Sequence, residues 1–244
     1  MSRDLCHLAL YFAATPADDA MSSSPAFLAT LRESDLEALA ERWNVRSYGR
    51  QELIIAHGEN GRDVFFVLDG SARVTIFSAN GREVAYKDIH QGDIFGELAA
   101  IDGRARSASV IAMDPTRAAI LTAEAFQSLL HSHPSLSWAL LNHLSGLVRR
   151  MTDRVFEFST LVVRERIICE LLRRADEIGV SEGAMTVIPV PRQLELAAAI
   201  STHREAVSRE MSLLAKKGLI KRRGDGLLLR DIAALEALTG RGDQ

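Results

Sequence analysis

The sequence predicts an α+β chain: a small antiparallel β-roll, one long helix, then a helical module closed by a hairpin. Three observations predict it. Between Val45 and Thr122, short β-type runs are separated by turn residues, with strong turn signals at Asp69-Gly70 and Asn80-Gly81. From Leu140 to Val162, apolar residues recur at steps of 4, 4, 3, 4, 3 and 4, close to the roughly 3.5-residue period of a coiled coil. Beyond Pro191, two helical segments precede Gly224-Asp225-Gly226. At 244 residues the chain has the length for two domains, each able to bury a core.

In chain order, the first expectation is a disordered extension. Leu8 to Ala14 is an apolar run after Arg3 that loosely imitates a secretory signal, but Asp4 and His7 interrupt it. A disordered segment with the natural start at Met21 is the favoured reading of the two. Ser34-x-x-Glu37 forms a capping box for a helix running to about Trp43, with Leu36 and Leu39 on one face. In the strand region Val74 and Ile76 alternate with Arg73 and Thr75, the pattern of a strand with one buried face. A short helix is expected over about 123–130. Pro134 then opens the long helix, where its missing N–H has no partner to lose. Leu140, Leu144, Val148, Met151, Val155, Phe158 and Val162 form a seam, read as a dimer interface in preference to packing on the chain's own roll. Another helix follows over about 163–176, then a surface loop at 177–184 and a strand over Val187–Val190.

Composition narrows the function. The net charge of −3 gives no global sign of nucleic-acid binding. Arg192 to Arg223, however, holds eight Lys/Arg against three Glu, a basic module in an otherwise acidic chain. Cys6 and Cys169 are the only cysteines, which excludes a disulfide framework and a four-cysteine metal or iron–sulfur site. His131-x-His133 lacks further ligands in reach, so no metal is expected, and His90 has no partner to suggest haem. No nucleophile–base pairing suggests an enzyme. No apolar run approaches the roughly 20 residues of a bilayer span, so no membrane is expected.

The most informative stretch runs from Gly92 to Val110. It sets Gly96 and Glu97 against Arg106 and Ser107 across a loop containing Gly103. Glycine lets backbone N–H groups approach an anion, and Arg106 offers a planar fork of donors suited to a phosphodiester. Glu97 only accepts, so it repels phosphate and suits a sugar hydroxyl. One acceptor for ribose and one cation for phosphate is the pairing a cyclic nucleotide requires; mutual pairing of Glu97 and Arg106 is the competing reading. The stretch resembles the phosphate-binding cassette of cyclic-nucleotide-binding domains: Gly-Glu-Leu (Gly96, Glu97, Leu98), a short helix, then Arg-Ser-Ala (Arg106, Ser107, Ala108). The resemblance extends to Val67–Ser71 and covers most of 45–122. It implies that Gly96 and Ser107 donate to the nucleotide, that Glu97 accepts from the ribose 2′-hydroxyl, and that Arg106 pairs with the cyclic phosphate. On the long helix Thr152, and next to it Asp153, fall where the cyclic-AMP receptor family touches the base. Met151 stands at an adjacent position that is polar in the family, which leaves cyclic AMP against cyclic GMP open. Ordinary helix-surface polarity is the competing reading of Thr152 and Asp153.

Pro191 to Gly218 reads as two helices with a tight turn. Leu194, Ala197 and Ala198 give the first an apolar face; Val207, Met211 and Leu214 give the second a buried stripe. Arg204, Glu205, Ser208 and Arg209 are left at the exposed start of the second helix, where a recognition helix presents side chains to the major groove. Arg suits guanine O6 and N7, and Glu can accept from cytosine N4. The run Arg-Glu-x-Val-x-Arg at 204–209 resembles the recognition helix of the CRP/FNR regulator family. By that resemblance Arg204, Glu205 and Arg209 read a TGTGA-like half-site. Thr202-x-x-Glu205 is also a capping box, so helix capping and base reading compete for Glu205. Ser201 replaces the family's turn glycine, which implies a slightly altered turn, and His203 replaces a frequent Ser. Gln193, Lys216, Lys217, Lys221, Arg222 and Arg223 suit phosphate contacts, which position without reading sequence.

The resemblance thus implies four segments: an extension over 1–24, a cyclic-nucleotide-binding, cupin-like jelly roll over 25–133, a dimerisation helix over 134–162 and a winged helix-turn-helix domain over 163–244. It implies a cytoplasmic homodimer that binds double-stranded DNA under cyclic AMP or cyclic GMP control and contacts RNA polymerase. The rivals are a relative that acts without nucleotide and a regulatory subunit of an enzyme, the latter leaving the basic module unexplained.

Overall fold

In the computed structural model, residues 26–77, 83–178, 180–182 and 185–239 are described. Two compact units result, one ending at Leu147 and the other starting at Val148. The Asn80-Gly81 turn and the first twenty-five residues lie outside the described residues.

The N-terminal unit is an antiparallel roll of two four-stranded sheets. One has the order β1 (Asn44–Tyr48), β8 (Thr116–Leu121), β3 (Val64–Asp69), β6 (Ile94–Phe95). The other has β2 (Leu53–Ile55), β7 (Ser109–Ala112), β4 (Ala72–Phe77), β5 (Glu83–Ile89). Strand β3 shows why the roll forms where it does. Its run Val64 to Leu68 is buried on both faces, as a continuous apolar strand between two layers should be. Phe65 and Val67 enter the roll with Phe95, Ile89 and Val110. Val64, Phe66 and Leu68 face an outer core with Phe27, Leu36, Leu39, Phe126 and Leu136. Trp43 joins that outer core, its ring 6.1 Å from Phe66.

That outer core is completed by a 3-10 turn (Phe27–Thr30), α1 (Glu33–Ala40) and α3 (Ala123–Ser132), with α2 (Glu97–Asp102) lying in the cassette. Two expectations change here. The capping box at Ser34 does not form: α1 starts at Glu33 with Arg32 as N-cap and no side-chain cap, because Leu36 and Leu39 set the helix by their burial. The turn expected at Asp69-Gly70 forms, with Gly70 at φ +83°, and carries the chain from β3 to β4 in the other sheet. Within β4 the polar residues are the more buried: Arg73 forks onto Asp88 of β5 at 2.6 and 2.9 Å, and the Thr75 hydroxyl donates to the Val84 carbonyl. A paired charge tolerates burial that a lone one does not.

The long helix α4 spans Pro134–Thr160, so Val162 lies beyond its end. Its seam divides. Leu140 is buried in the N-terminal core with Leu144 against it, whereas Val148 and Val155 are 64% and 65% exposed. Trp138, on the same helix, is 65% exposed.

The C-terminal unit continues from α4 with α5 (Val163–Ile178), α6 (Gln193–Ala199), α7 (Arg204–Lys216), α8 (Ile232–Ala237) and the antiparallel sheet β11 (Ile220–Arg223), β12 (Gly226–Leu229), β10 (Met185–Pro189), β9 (Val180–Glu182). Strand β9 occupies part of the expected 177–184 loop, pairing Ser181 with Thr186. Ile167, Ile168, Leu171, Leu196, Val207, Leu214 and Leu229 build its core. Leu194 is 67% exposed; the buried face of α6 is Leu196, Ala197, Ala199 and Ile200 instead.

Candidate functional site

The cassette is built at the end of β6. Gly96 caps α2 with φ +81°, in the left-handed region that glycine adopts without strain. A Cβ there would lie 2.8 Å from Arg106 Nη1 and 2.9 Å from the Asp63 carbonyl, so only glycine fits. Glu97 opens α2 and is buried, 6% exposed. Burial pushes its carboxyl above the usual range, against its own backbone N–H and the charges of Lys87 and Arg106. Leu98 is exposed, and Gln127 of α3 donates to the Ala100 carbonyl at 2.6 Å, fixing α2 from outside.

Arg106 is 4% exposed. Its Nη1 donates to the Gly96 carbonyl at 2.9 Å and its Nη2 to the Asp63 carbonyl at 2.8 Å. Nε is buried without a hydrogen-bond partner, 3.9 Å from the Glu59 carboxylate. Burial lowers the guanidinium's pKa, opposed by Glu59, Asp63 and Glu97. The Arg106 N–H donates to the Glu59 carbonyl at 2.9 Å and its carbonyl accepts from Gly58 N–H at 2.9 Å, so the 58–63 loop and the cassette share one backbone seam. Of five guanidinium N–H groups, two orient the fork and three are left over. A buried cation with an Nε donor free of hydrogen bonds, in a cassette that also buries the Glu97 carboxyl, suits a ligand that brings both an anion and a hydroxyl. Ser107 is exposed and Ala108 half-buried.

The structure therefore brings Gly96, Glu97 and Arg106 together. It adds Asp63, Glu59 and Lys87, which sequence reasoning missed; the polar stretch Gly58-Glu59-Asn60-Gly61 before β3 was the available signal. Arg106 gives Nη1 and Nη2 to backbone carbonyls and neither of them to Glu97. Thr152 and Asp153 are exposed on α4 within the C-terminal unit, the Thr152 hydroxyl donating to the Val148 carbonyl at 3.0 Å.

The second candidate site is the α6–α7 pair. Ser201 sits at φ +51° and adopts the left-handed conformation itself, so the turn is kept in the absence of glycine. Thr202 N–H closes it on the Ala197 carbonyl at 2.9 Å. Helix α7 starts at Arg204 with His203 as N-cap and no side-chain cap, one residue later than the Thr202–Glu205 capping box requires. Glu205 is exposed, along with His203, Arg204 and Arg209; Thr202 and Ser208 are half-buried. Arg204 Nε reaches Gln193 Oε1 at 3.4 Å, tying the starts of the two helices. Lys216, Lys217, Lys221, Arg222 and Arg223 are exposed on the end of α7 and on β11. Among the described residues no cluster of three His, Cys, Asp or Glu could hold a metal ion, and no helix is long and apolar enough to cross a membrane.

Residues 45–133 match the model of the cyclic nucleotide-binding domain, and residues 165–238 that of the Crp-like helix-turn-helix domain. The chain is 27% identical over 199 residues to the CRP-like cAMP-activated global transcriptional regulator of Mycobacterium tuberculosis, covering 81% of this chain and 89% of that protein. It is 27% identical over 221 residues to the cyclic AMP receptor protein of Thermus thermophilus, covering 89% and 98%. In fold it is like a CooA variant from Carboxydothermus hydrogenoformans, with a TM-score of 0.73 at 21% identity, covering 83% of this chain and 90% of that one.

Proposed function

We propose that this chain, which belongs to the CRP/FNR family of DNA-binding transcription regulators, is switched by a cyclic nucleotide, cyclic AMP before cyclic GMP. The observation that carries the ligand class is Arg106, buried and aimed by two backbone carbonyls, its Nε without a hydrogen-bond partner, in a cassette that also buries the Glu97 carboxyl. Arg106 takes the cyclic phosphate, and Ser107 and Gly96 supply donors to the nucleotide. Glu97 accepts from the ribose hydroxyl, and Leu98 and Ala108 line the cassette. Thr152 and Asp153 meet the base. When bound, the nucleotide supplies the anion and the hydroxyl that these groups are placed to pair.

The reading includes a cytoplasmic homodimer joined along the exposed part of the α4 seam. Two recognition helices about 34 Å apart then face successive major-groove turns of a palindromic TGTGA-like site. Arg204, Glu205 and Arg209 read bases, with Thr202, His203, Ser208 and Gln193 supporting contacts, and the Lys216–Arg223 residues hold phosphates. Nucleotide acts only through a higher affinity for the DNA-competent arrangement; equal affinity for both would switch nothing. RNA polymerase is the expected partner at the promoter.

A nucleotide-independent regulator is the second reading, favoured by the fact that Arg106 already spends two donors on the protein itself. Calorimetry with cyclic AMP and cyclic GMP, followed by operator titration with each at several salt concentrations, separates the two. Tight binding of one nucleotide that raises operator affinity supports the first; operator binding with no heat from either nucleotide supports the second.

A further inference from the structure

Helix α6 leaves its last carbonyls without partners inside the helix, as every helix C-terminus does. Here two of them are held by guanidinium groups from elsewhere in the C-terminal unit. Arg154 of α4 donates from Nη1 to the Ala199 carbonyl at 3.0 Å. Arg166 of α5 donates from Nη1 to the Ile200 carbonyl at 3.1 Å. Ile200 is followed at once by Ser201, the left-handed residue that turns the chain into the recognition helix. Cations suit this place because the end of a helix carries partial negative charge.

Arg154 is itself held from behind. Its Nη2 lies 3.7 Å from the buried Glu170, which also accepts from Arg174 Nε at 3.1 Å and from Arg173. Arg173 Nη2 reaches back to both oxygens of the buried Glu157 at 2.9 and 3.1 Å, one turn further along α4 than Arg154. Arg164 of α5 grips Glu210 of α7 at 2.7 Å. Buried ion networks contribute little net stability against hydrophobic alternatives, but they hold directions in which groups can sit. The Arg154 side chain is 14% exposed, so it is unlike the exposed Arg149 earlier in the same helix and is not placed as a phosphate contact.

We infer that Arg154 is a positioning residue for DNA reading, fastening the last turns of the long helix to the turn that aims α7. The inference rests on the DNA-binding reading above. Through this grip, a change in the course of α4 is passed to Ala199 and so to the recognition helix, with no side chain of the network touching DNA.

The test uses the full chain with Arg154→Met, which keeps most of the apolar stem and removes the donors, and Arg154→Lys, which restores one. Amide hydrogen exchange is read at Thr202, whose N–H closes the turn, and affinity for a palindromic TGTGA duplex is read across salt. Arg154→Met is expected to exchange at Thr202 roughly tenfold faster and to bind the duplex roughly tenfold more weakly, with Arg154→Lys between. The slope of log affinity against log salt stays at the unsubstituted value, because no phosphate contact is lost. Glu157→Gln, which loosens only the rear of the network, is expected to leave both readouts near the unsubstituted values, and circular dichroism of each variant shows that it folds. Unchanged exchange and affinity in Arg154→Met would overturn the inference, as would a salt slope reduced by about one, which marks a phosphate contact. If the unsubstituted chain binds no duplex with cyclic AMP or with cyclic GMP present, the DNA-binding reading fails, and the exchange at Thr202 still decides whether Arg154 holds the turn.

Discussion

Arg106 Nη1 donates to the carbonyl of Gly96 at 2.9 Å, so the cation at one end of the cassette holds the glycine that begins the other. Removing it should therefore have two separable effects. Arg106→Ala is expected to lower nucleotide affinity on the order of 100-fold, through loss of a charged hydrogen-bonding partner. It should also destabilise the N-terminal unit by about 2 kcal/mol, since the Gly96 and Asp63 carbonyls lose their donors. Calorimetry reads the first and thermal unfolding without ligand reads the second.

Glu97 predicts a dependence on pH. Burial holds its carboxyl above the ordinary value of 4.5. Below that value it is protonated in both folded and unfolded chains, and its burial carries no charge cost. As pH rises, the unfolded chain ionises first, and the folded state loses stability until its own raised value is passed. Glu97→Gln should thus stabilise the ligand-free protein at neutral pH and give no advantage below 4.5. The same substitution should weaken nucleotide binding about tenfold by removing the charged acceptor for the ribose. Melting temperatures across pH, with and without cyclic AMP, check both.

The divided seam of α4 separates folding from association. Leu140→Ala should cost about 2–5 kcal/mol of stability, because it opens a cavity in the chain's own core. Val155→Glu should leave that stability within about 0.5 kcal/mol and shift the protein toward monomer, since Val155 is exposed in the single chain. Sedimentation equilibrium alongside thermal unfolding distinguishes them.

Ser201 bears a left-handed φ of +51°. Ser201→Gly is expected to stabilise the C-terminal unit by about 0.5–1 kcal/mol, the relief of backbone strain outweighing the extra freedom of the unfolded glycine. Ser201→Val should destabilise by at least as much, because a β-branched residue resists this region most. Chemical denaturation checks the order Gly, Ser, Val.

What was legible in the sequence is what lies close along it. Gly96, Glu97 and Arg106 fall within one cassette, and the roll, the long helix and the helix-turn-helix pair each carry a period of their own. The illegible features are pairings across distance. Arg106 finds the Asp63 carbonyl 43 residues away, and no local pattern marks that acceptor. Arg73 looks like an outward residue of β4 until Asp88 arrives from β5. Leu140 and Val155 share one apolar repeat, and the repeat cannot say which turn of the helix the roll will cover. The Thr202 capping box failed for a related reason: the turn closes by backbone, through Ala197, and the helix starts after it.

The chain has two tryptophans, and both belong to the N-terminal unit. Trp43 packs beside Phe66 while Trp138 stands exposed on α4, so the pair divides into a core-sensitive and a solvent-sensitive fluorophore. Intrinsic tryptophan emission thus reports the N-terminal unit alone, without a label. An unfolding transition seen by circular dichroism but silent in emission belongs to the DNA-reading half.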